Sequence, residues 1–347
     1  MRAARVQFGV GCSPGQPAHQ VLATARLAED LGFDVVWVAD SHIIWRELYS
    51  LLGALAVATR RIALGPGVTH PFVRHPSLTA SAIATLQELA PGRIRLGLGV
   101  GDSGPANLGL KQASLKELEQ TVVGVRELLS GRAMQWAGRT TRLAYAPTRP
   151  DRAPIYVAAA SNRTHAMSGR VADGALVGGA PNDLPATVEV IRHAEAEAGR
   201  PARAVKIAVW TTISVDVDRE LARQAVRPVV ARKALNSLGI LERNGQLEEI
   251  DREPLARLRR AWDSQQHMAS HYSSLVEDRW VDRFALAGPP EEILARCRRA
   301  LAQGADEISA IFRPTEQSSL DAQLRRFAES VIEPLRRSAR TSPAPAR

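Results

Sequence analysis

Short apolar segments alternate with amphipathic segments along almost the whole chain. The apolar segments are rich in β-branched residues, and the segments between them repeat apolar residues every three or four positions, as helices with one buried face do. Strands that are apolar on both faces are typical of parallel sheets covered by helices. The predicted strands are 6–10, 33–39, 62–68, 93–100, 155–159, 175–177, 205–215 and 307–312. Eight strands of this kind predict a closed (β/α)8 barrel in preference to an open doubly wound sheet.

The predicted helices carry recognisable end signals. A helix over 114–130 begins with a capping box, Ser114 with Glu117, and Gly131 follows its last turn. Gly32 and Gly304 each end an amphipathic segment, and each is followed within two residues by an aspartate that opens a strand. Such glycines suit the left-handed conformation that stops a helix. The other predicted helices include 48–59, 77–89, 290–303 and 320–335.

Two segments interrupt the alternation. Residues 135–154 contain several Pro, Thr and Arg residues without a regular period, and they predict a surface insertion before the fifth strand. Residues 219–283, after the seventh strand, are too long for one barrel helix and predict two or three helices that form a lid over the barrel mouth. The chain is therefore predicted to be a single barrel domain, 1–337, followed by a disordered tail, 338–347.

The charge and cysteine content exclude several classes of protein. The net charge is +9, but basic and acidic residues are mixed along the chain instead of clustering with aromatic residues, so no nucleic-acid partner is predicted. Cys12 and Cys297 lie far apart, which rules out a disulfide framework and favours a reducing compartment. Apolar runs are far shorter than the ~20 residues of a membrane span, and no signal peptide is recognisable. A cytoplasmic protein without a membrane partner is predicted.

Polar and small residues collect just past the predicted strands, on the face where (β/α)8 barrels carry their active sites. The candidates there are Asp40, Ser41, His42, Gly67, Val68, His70, Asp102, Ala160, Ser161, Asn162, Gly178, Gly179 and Arg313.

One glycine motif imitates a dinucleotide-binding fingerprint. Gly99, Gly101 and Gly104 have the G-x-G-x-x-G spacing and follow a strand. However, Pro105 comes next, the following predicted helix starts ten residues later, and no acid ends a second strand about 20 residues on. The motif therefore favours a tightly turning loop over a Rossmann site.

Several segments together resemble the luciferase-like oxidoreductase superfamily. They are GPGVTHPFVRHP at 65–76, GLGVGDS at 97–103, ADS at 39–41 with Trp45, GRVADG at 169–174 and FALAGPPEE at 284–292. Within that superfamily the chain is most similar to the branch of methylenetetrahydromethanopterin reductase and other enzymes that use the deazaflavin coenzyme F420. The resemblance covers about residues 5 to 335. It implies the bacterial luciferase-like form of the barrel, with the two insertions described above.

The resemblance implies which residues hold the coenzyme. It places a bulge with a non-proline cis peptide at Gly67-Val68, behind the coenzyme ring, and His70 nearby as a donor where the branch usually has asparagine. The coenzyme phosphate is expected at Ala160, Ser161 and Asn162 and at Gly178 and Gly179, since backbone amides and a helix start suit an anion. Arg313 is a candidate for a more distal phosphate or carboxylate, or for a surface salt bridge.

Proton transfer is assigned by the resemblance to an acid or a histidine at these strand ends. The candidates are Asp40, Ser41, His42 and Asp102, and the order Asp-Ser-His leaves open which of them acts. His267, His271 and Tyr272 of the predicted lid are candidates for substrate contact. His75 is expected to cap the helix that Pro76 begins. No third ligand with suitable spacing accompanies His70 and His75, so no metal site is predicted.

The resemblance implies an oxidoreductase, acting as a homodimer, that transfers hydride between coenzyme F420 and a small organic substrate with a C=N, C=C or C=O group. Two alternatives stay open. One is a monooxygenase that uses reduced FMN and molecular oxygen, and the other is a non-catalytic flavin-binding accessory or sensor protein. An aldolase barrel would need a lysine at a strand end, and the eight ends carry none.

Overall fold

Parallel strands form a nearly closed barrel in the computed structural model, which describes residues 5–145, 152–178, 184–263, 266 and 270–341. The barrel strands are β1 Gln7–Cys12, β2 Val35–Val38, β3 Ala63–Pro66, β4 Leu96–Leu98, β5 Ile155–Ala159, β6 Gly174–Gly178, β7 Lys206–Val215 and β8 Glu307–Phe312. They pair in the order β3-β2-β1-β8-β7-β6-β5-β4. The predicted (β/α)8 barrel is confirmed.

The barrel closes between β3 and β4 through separate bridges instead of a continuous ladder. Leu64 pairs with Ile94, and Thr69 pairs with Leu98. The chain advances five residues on the β3 side and four on the β4 side between these bridges, so β3 carries a bulge. The peptide between Gly67 and Val68, inside the bulge, is cis, as expected.

Helices cover the outside of the barrel. They are α1 Ala18–Asp30, α2 Leu48–Ala58, α3 Pro76–Leu89, α4 Ser103–Ala106, α5 Leu115–Leu129, α6 Asn162–Val171, α7 Leu184–Glu197, α8 Arg219–Arg243, α9 Glu249–Ala261, α10 Asp278–Phe284, α11 Pro290–Ala302, α12 Leu320–Phe327 and α13 Glu333–Thr341. A 3-10 helix, Ser270–Leu275, precedes α10, and a π-helical turn, Ala328–Ile332, joins α12 to α13.

The predicted helix ends are confirmed. Ser114 and Glu117 form both hydrogen bonds of the capping box on α5, and Gly131 beyond its end has φ +74°. Gly32 and Gly304 also adopt positive φ, at +84° and +107°. His75 caps α3 by accepting a hydrogen bond from the Ser77 amide.

Large side chains fill the barrel interior. Trp37, Tyr156 and Leu176 pack together inside the strands. Below them the Arg95 guanidinium lies 2.6 Å from Glu307 Oε2, and Trp37 Nε1 donates to Glu307 Oε1 at 3.0 Å. The interior is therefore a packed core closed by an ion pair, and the open end of the barrel is the carboxyl end of the strands.

The two insertions and the tail differ in part from expectation. Before β5, where no regular structure was predicted, Met134–Trp136 and Arg139–Thr141 form an antiparallel hairpin. The lid contains α8, α9, the 3-10 helix and α10, and it is followed by a short strand, Leu286–Gly288, that extends the sheet beside β7. Helix α13 continues to Thr341, so 338–341, predicted as part of the disordered tail, are helical; residues 342–347 lie outside the described part. In the described residues no helix is long and apolar enough to span a membrane.

Candidate active site

A buried carboxylate joins the ends of β2 and β3. Asp40 is 7% exposed, and its Oδ2 accepts hydrogen bonds from Thr69 Oγ1 at 2.7 Å and from Arg74 Nη1 at 2.5 Å. Arg74 also pairs with Glu47 at 2.6 Å and lies over the Tyr49 ring, 5.0 Å from its centroid. Asp40 is thus held in one position, and its second oxygen, Oδ1, has no hydrogen-bond partner among the described residues.

His70 is the titratable group beside this network. It is 4% exposed, and neither ring nitrogen has a hydrogen-bond partner in the described part of the chain. Burial is the main cause that lowers the pKa of His70 below its ordinary value of 6.5; Asp40 opposes the shift, whereas Arg74 and His42 add to it. His70 is therefore neutral at pH 7, and a neutral imidazole with a free nitrogen can accept a proton.

The glycines of the β4 loop make room for His70 and for the bulge. A Cβ on Gly104 would lie 2.3 Å from His70 Nε2, and a Cβ on Gly99 would lie 2.8 Å from Val68 Cγ2. Gly101 has φ +88°, and a one-turn helix, α4, follows it. The G-x-G-x-x-G spacing thus serves close packing against β3, which agrees with the prediction of a tightly turning loop.

Trp210 was not predicted as a site residue, yet it lies at the barrel mouth. It is partly buried in β7, and its indole carbons would meet a Cβ on Gly11 at 3.0 Å and one on Gly67 at 3.3 Å. Trp210 and Val68 each pack against the interior aromatic cluster. They form an apolar floor at the strand ends, which a flat ring could cover. The only sequence signal was a tryptophan within a long predicted strand.

The residues that end β5 and β6 and begin α6 are largely exposed where the structure describes them, at 160–162 and at Gly178. Ser161 caps α6 through a capping box with Thr164, whose hydroxyl also accepts from the amides of Ala160 and Ser161 at 3.1 and 3.0 Å. Those two amides are therefore occupied within the loop, while Asn162, the first residue of α6, is exposed. Among the described residues, a Cβ on Gly178 would meet nothing within 4 Å. The predicted Gly179 lies outside the described residues.

The other predicted residues have different surroundings. Ser41 is buried and accepts from Ser103 Oγ at 3.1 Å, whereas His42 is partly exposed. Asp102 forms an ion pair with Arg232 of the lid at 3.1 Å. Arg313 donates from Nε to the Ala225 carbonyl of α8 at 3.3 Å, so it ties the lid to the end of β8.

Of the lid candidates that the structure describes, Tyr272 is buried and His271 is exposed. Tyr272 is fully buried, its ring centroid lies 4.0 Å from that of His271, and its hydroxyl accepts from the Asp263 amide at 2.9 Å. His267 lies outside the described residues. A second buried histidine, His165, was missed by sequence reasoning; it contacts the Ala159 carbonyl at the end of β5 at 3.3 Å. No cluster of metal-ligating side chains occurs among the described residues.

Comparison with known proteins places the chain in a family. A family model described as luciferase-like monooxygenase matches residues 3–307. The chain is 32% identical over 311 residues to 5,10-methylenetetrahydromethanopterin reductase from Archaeoglobus fulgidus, covering 88% of this chain and 93% of the relative. It is 34% identical over 242 residues to F420-dependent glucose-6-phosphate dehydrogenase from Nakamurella multipartita, covering 64% of this chain and 71% of the relative.

A solved structure agrees with this placement. Coenzyme F420-dependent tetrahydromethanopterin reductase from Methanopyrus kandleri superposes with a TM-score of 0.80 at 25% identity, over 96% of this chain and all of the other. The strand-end motifs, the barrel fold and these relatives all indicate the same family. The chain belongs to the luciferase-like monooxygenase family.

Proposed function

We propose that this enzyme is a coenzyme F420-dependent oxidoreductase that exchanges hydride between the deazaflavin and a small organic molecule. The observation that carries the proposal is the buried His70, two residues after Val68, whose ring nitrogens have no hydrogen-bond partner among the described residues, in a chain whose relatives are named for coenzyme F420. Assembly as a homodimer and a cytoplasmic location stay predictions.

The residues at the barrel mouth fit such a coenzyme. The Val68–Trp210 floor suits a flat aromatic ring, because that surface is apolar and partly buried. Three buried polar atoms at the same strand ends, His70 Nδ1 and Nε2 and Asp40 Oδ1, have no hydrogen-bond partner in the described part of the chain and can bind the polar edge of a ring or substrate. The exposed Asn162 that begins α6 and the exposed Gly178 at the end of β6 suit a phosphate group better than the Ala160 and Ser161 amides, which Thr164 occupies. When bound, the coenzyme would supply or accept the hydride.

The protein's own part in the reaction is to position the ring and to move a proton. Arg74 and Thr69 hold Asp40, and Asp40 gives the neighbouring His70 a negatively charged surrounding that favours its protonated form. Burial favours the neutral form of His70, which can accept a proton from a substrate hydroxyl. In the reverse direction the protonated His70 can return that proton to the substrate. The lid over the mouth excludes water from the hydride transfer.

The coenzyme site can be tested at Gly178, where the structure leaves open space. Gly178→Asp and Gly178→Asn introduce side chains of equal size that differ in charge. If the coenzyme phosphate binds there, Gly178→Asp should weaken the binding of F420 by about tenfold or more relative to Gly178→Asn. The reason is that the new carboxylate and the phosphate would be neighbouring negative charges, which repel each other. Fluorescence titration of the apo enzyme with F420 and with FMN measures the effect.

Two outcomes of that titration would contradict the proposal. Tight binding of FMN without measurable affinity for F420 would favour the flavin-dependent monooxygenase chemistry. Equal F420 affinity of the aspartate and asparagine variants would show that the coenzyme phosphate does not bind at Gly178.

A further inference from the structure

Two buried hydroxyl groups near the end of β7 have no hydrogen-bond partner. The side chains of Thr212 and Ser214 are fully buried, and neither Thr212 Oγ1 nor Ser214 Oγ has a partner among the described residues. Buried polar groups in proteins are nearly always paired, and one that is not paired costs stability. Two such groups in one strand therefore indicate a position where a bound molecule supplies the partner.

Both hydroxyls lie on the strand face that points to the barrel axis and the lid. Alternate residues of a strand share a face, and Trp210 of the same series packs against the interior aromatic cluster. Ser214 pairs in register with Ala287, whose side chain belongs to the apolar cluster that the lid helices form. Thr212 and Ser214 thus lie between the end of the barrel and the lid.

Arg313 follows β8 next to these hydroxyls. Its amide donates to the carbonyl of Ile213, the residue between Thr212 and Ser214, at 2.8 Å. Its side chain is partly buried and extends to the lid, where Nε donates to the Ala225 carbonyl at 3.3 Å. In the described part of the chain this is the one polar contact of the guanidinium. Burial lowers the pKa of Arg313, and no neighbouring carboxylate opposes the shift.

The lid offers Arg313 a weak acceptor. The Ala225 carbonyl is neutral, whereas a hydrogen bond from a guanidinium to a carboxylate or phosphate is about twice as strong. Pro228 lies inside α8, and its missing N–H leaves the carbonyl of Gln224, beside Ala225, without its intrahelical donor. Helix α8 is therefore weakened where it contacts Arg313. Because the contact uses Nε, the two terminal nitrogens of Arg313 keep their donors for another acceptor.

We propose that Arg313, Thr212 and Ser214 form an anion-binding subsite, and that the substrate carries the carboxylate or phosphate group that occupies it. The guanidinium can donate two parallel hydrogen bonds to such a group, and the two hydroxyls can donate to its other oxygens. The coenzyme phosphate is expected at the loops after β5 and β6, whereas this subsite lies at the ends of β7 and β8. The word substrate rests on the proposed function, but the binding of an anion to the apo protein does not.

Sulfate is a suitable probe because it is tetrahedral and doubly charged at neutral pH. Calorimetric titration of the apo protein at constant ionic strength should detect a sulfate site. Arg313→Gln should weaken the binding by about tenfold to a hundredfold, the effect of losing a charge-assisted hydrogen bond. Arg313→Lys keeps the charge but not the paired donors, so it should weaken the binding less.

Thr212→Val tests the hydroxyls and has a matched control one residue earlier. Thr211 is also fully buried with an unpartnered hydroxyl, but it shares the opposite face of β7 with Val209 and Ile213, which pack in the cores outside the barrel. Thr212→Val should weaken sulfate binding by about threefold to tenfold, the effect of one neutral hydrogen bond, and Thr211→Val should leave it unchanged. Urea unfolding should show no loss of stability in either variant, since each replaces an unpaired hydroxyl by a methyl group of similar size.

The remaining outcomes separate this proposal from the proposed function. The subsite is overturned if the wild type binds no sulfate, if Arg313→Gln keeps the wild-type affinity, or if Thr212→Val and Thr211→Val have equal affinity. In the holoenzyme, Arg313→Gln should raise the KM of substrates that carry a carboxylate or phosphate and leave that of uncharged ones unchanged. Weaker coenzyme binding instead would assign the anion to the coenzyme and contradict the proposal. If sulfate binds as expected but F420 supports no turnover, the subsite stands and the proposed function fails.

Discussion

Glu307→Ala is expected to lower the free energy of unfolding by about 3–5 kcal/mol, the usual effect of removing one partner from a buried ion pair. Glu307 is 2% exposed and Arg95 11%, so among the described residues the substitution leaves the positive charge near the base of the barrel with the Gln7 amide oxygen, at 3.0 Å, as its one side-chain hydrogen-bond acceptor. Trp37 also loses its bond to the carboxylate. Urea unfolding, followed by circular dichroism, measures the difference.

The size of that effect should depend on the charge left behind. Replacing both partners, Arg95→Met with Glu307→Leu, removes the unpaired charge and should cost less than Glu307→Ala alone. Glu253→Ala serves as a surface control, because Glu253 and its partner Arg260 are 70% and 67% exposed, and it should change the stability by less than about 1 kcal/mol. A double variant less stable than the single one would show that the ion pair itself stabilises the barrel.

His70→Asn is expected to lower kcat by about 10²-fold or more, the usual contribution of general acid–base catalysis. Asparagine keeps a hydrogen-bond donor but cannot exchange a proton, so it separates proton transfer from simple contact with the ring. In the wild type, the rate of substrate oxidation should fall on the acid side with an apparent pKa below 6.5, because His70 must be neutral to accept a proton. This acid limb should be absent from the variant.

The same histidine should also affect stability at low pH. The folded-state pKa of His70 lies below its unfolded value, so the unfolded state binds more protons between the two values, and the stability of the wild type should fall as the pH drops through about 6.5. His70→Asn should lose this part of the acid sensitivity. His193→Asn, at a residue with 75% side-chain exposure on α7, is the control. A His70→Asn enzyme with the wild-type rate and the wild-type acid limb would exclude His70 from proton transfer.

Features with a local cause could be predicted from the sequence. The alternation of apolar strands and amphipathic helices predicts all eight barrel strands, since each element shows its own periodicity. The capping box at Ser114 and the helix-ending Gly32 and Gly304 are equally local, because their partners lie within a few residues. Asp40 and His70 follow predicted strands, so the sequence also predicts their place at the barrel mouth. Their roles in proton transfer stay predictions.

Features that depend on distant partners could not be predicted in this way. Arg95 and Glu307 are separated by 212 positions, and nothing in the neighbourhood of either residue indicates the other. Trp210 has the pattern of an ordinary strand residue, and its ring lies against Gly11 and Gly67, where a Cβ would come within 3.0 and 3.3 Å of it. The contact between Arg232 and Asp102 depends on how the lid folds back over the barrel, and local periodicity does not encode that arrangement.

Anaerobic single turnover tests the central claim most directly. Enzyme with reduced F420 is mixed, without oxygen, with carboxylate-, phosphate- and uncharged carbonyl or imine compounds, and the absorbance of the oxidised deazaflavin is followed. We expect the absorbance to return only when a substrate is present. The account would be contradicted if F420 does not react under any of these conditions, whereas bound reduced FMN is oxidised in a reaction that requires molecular oxygen.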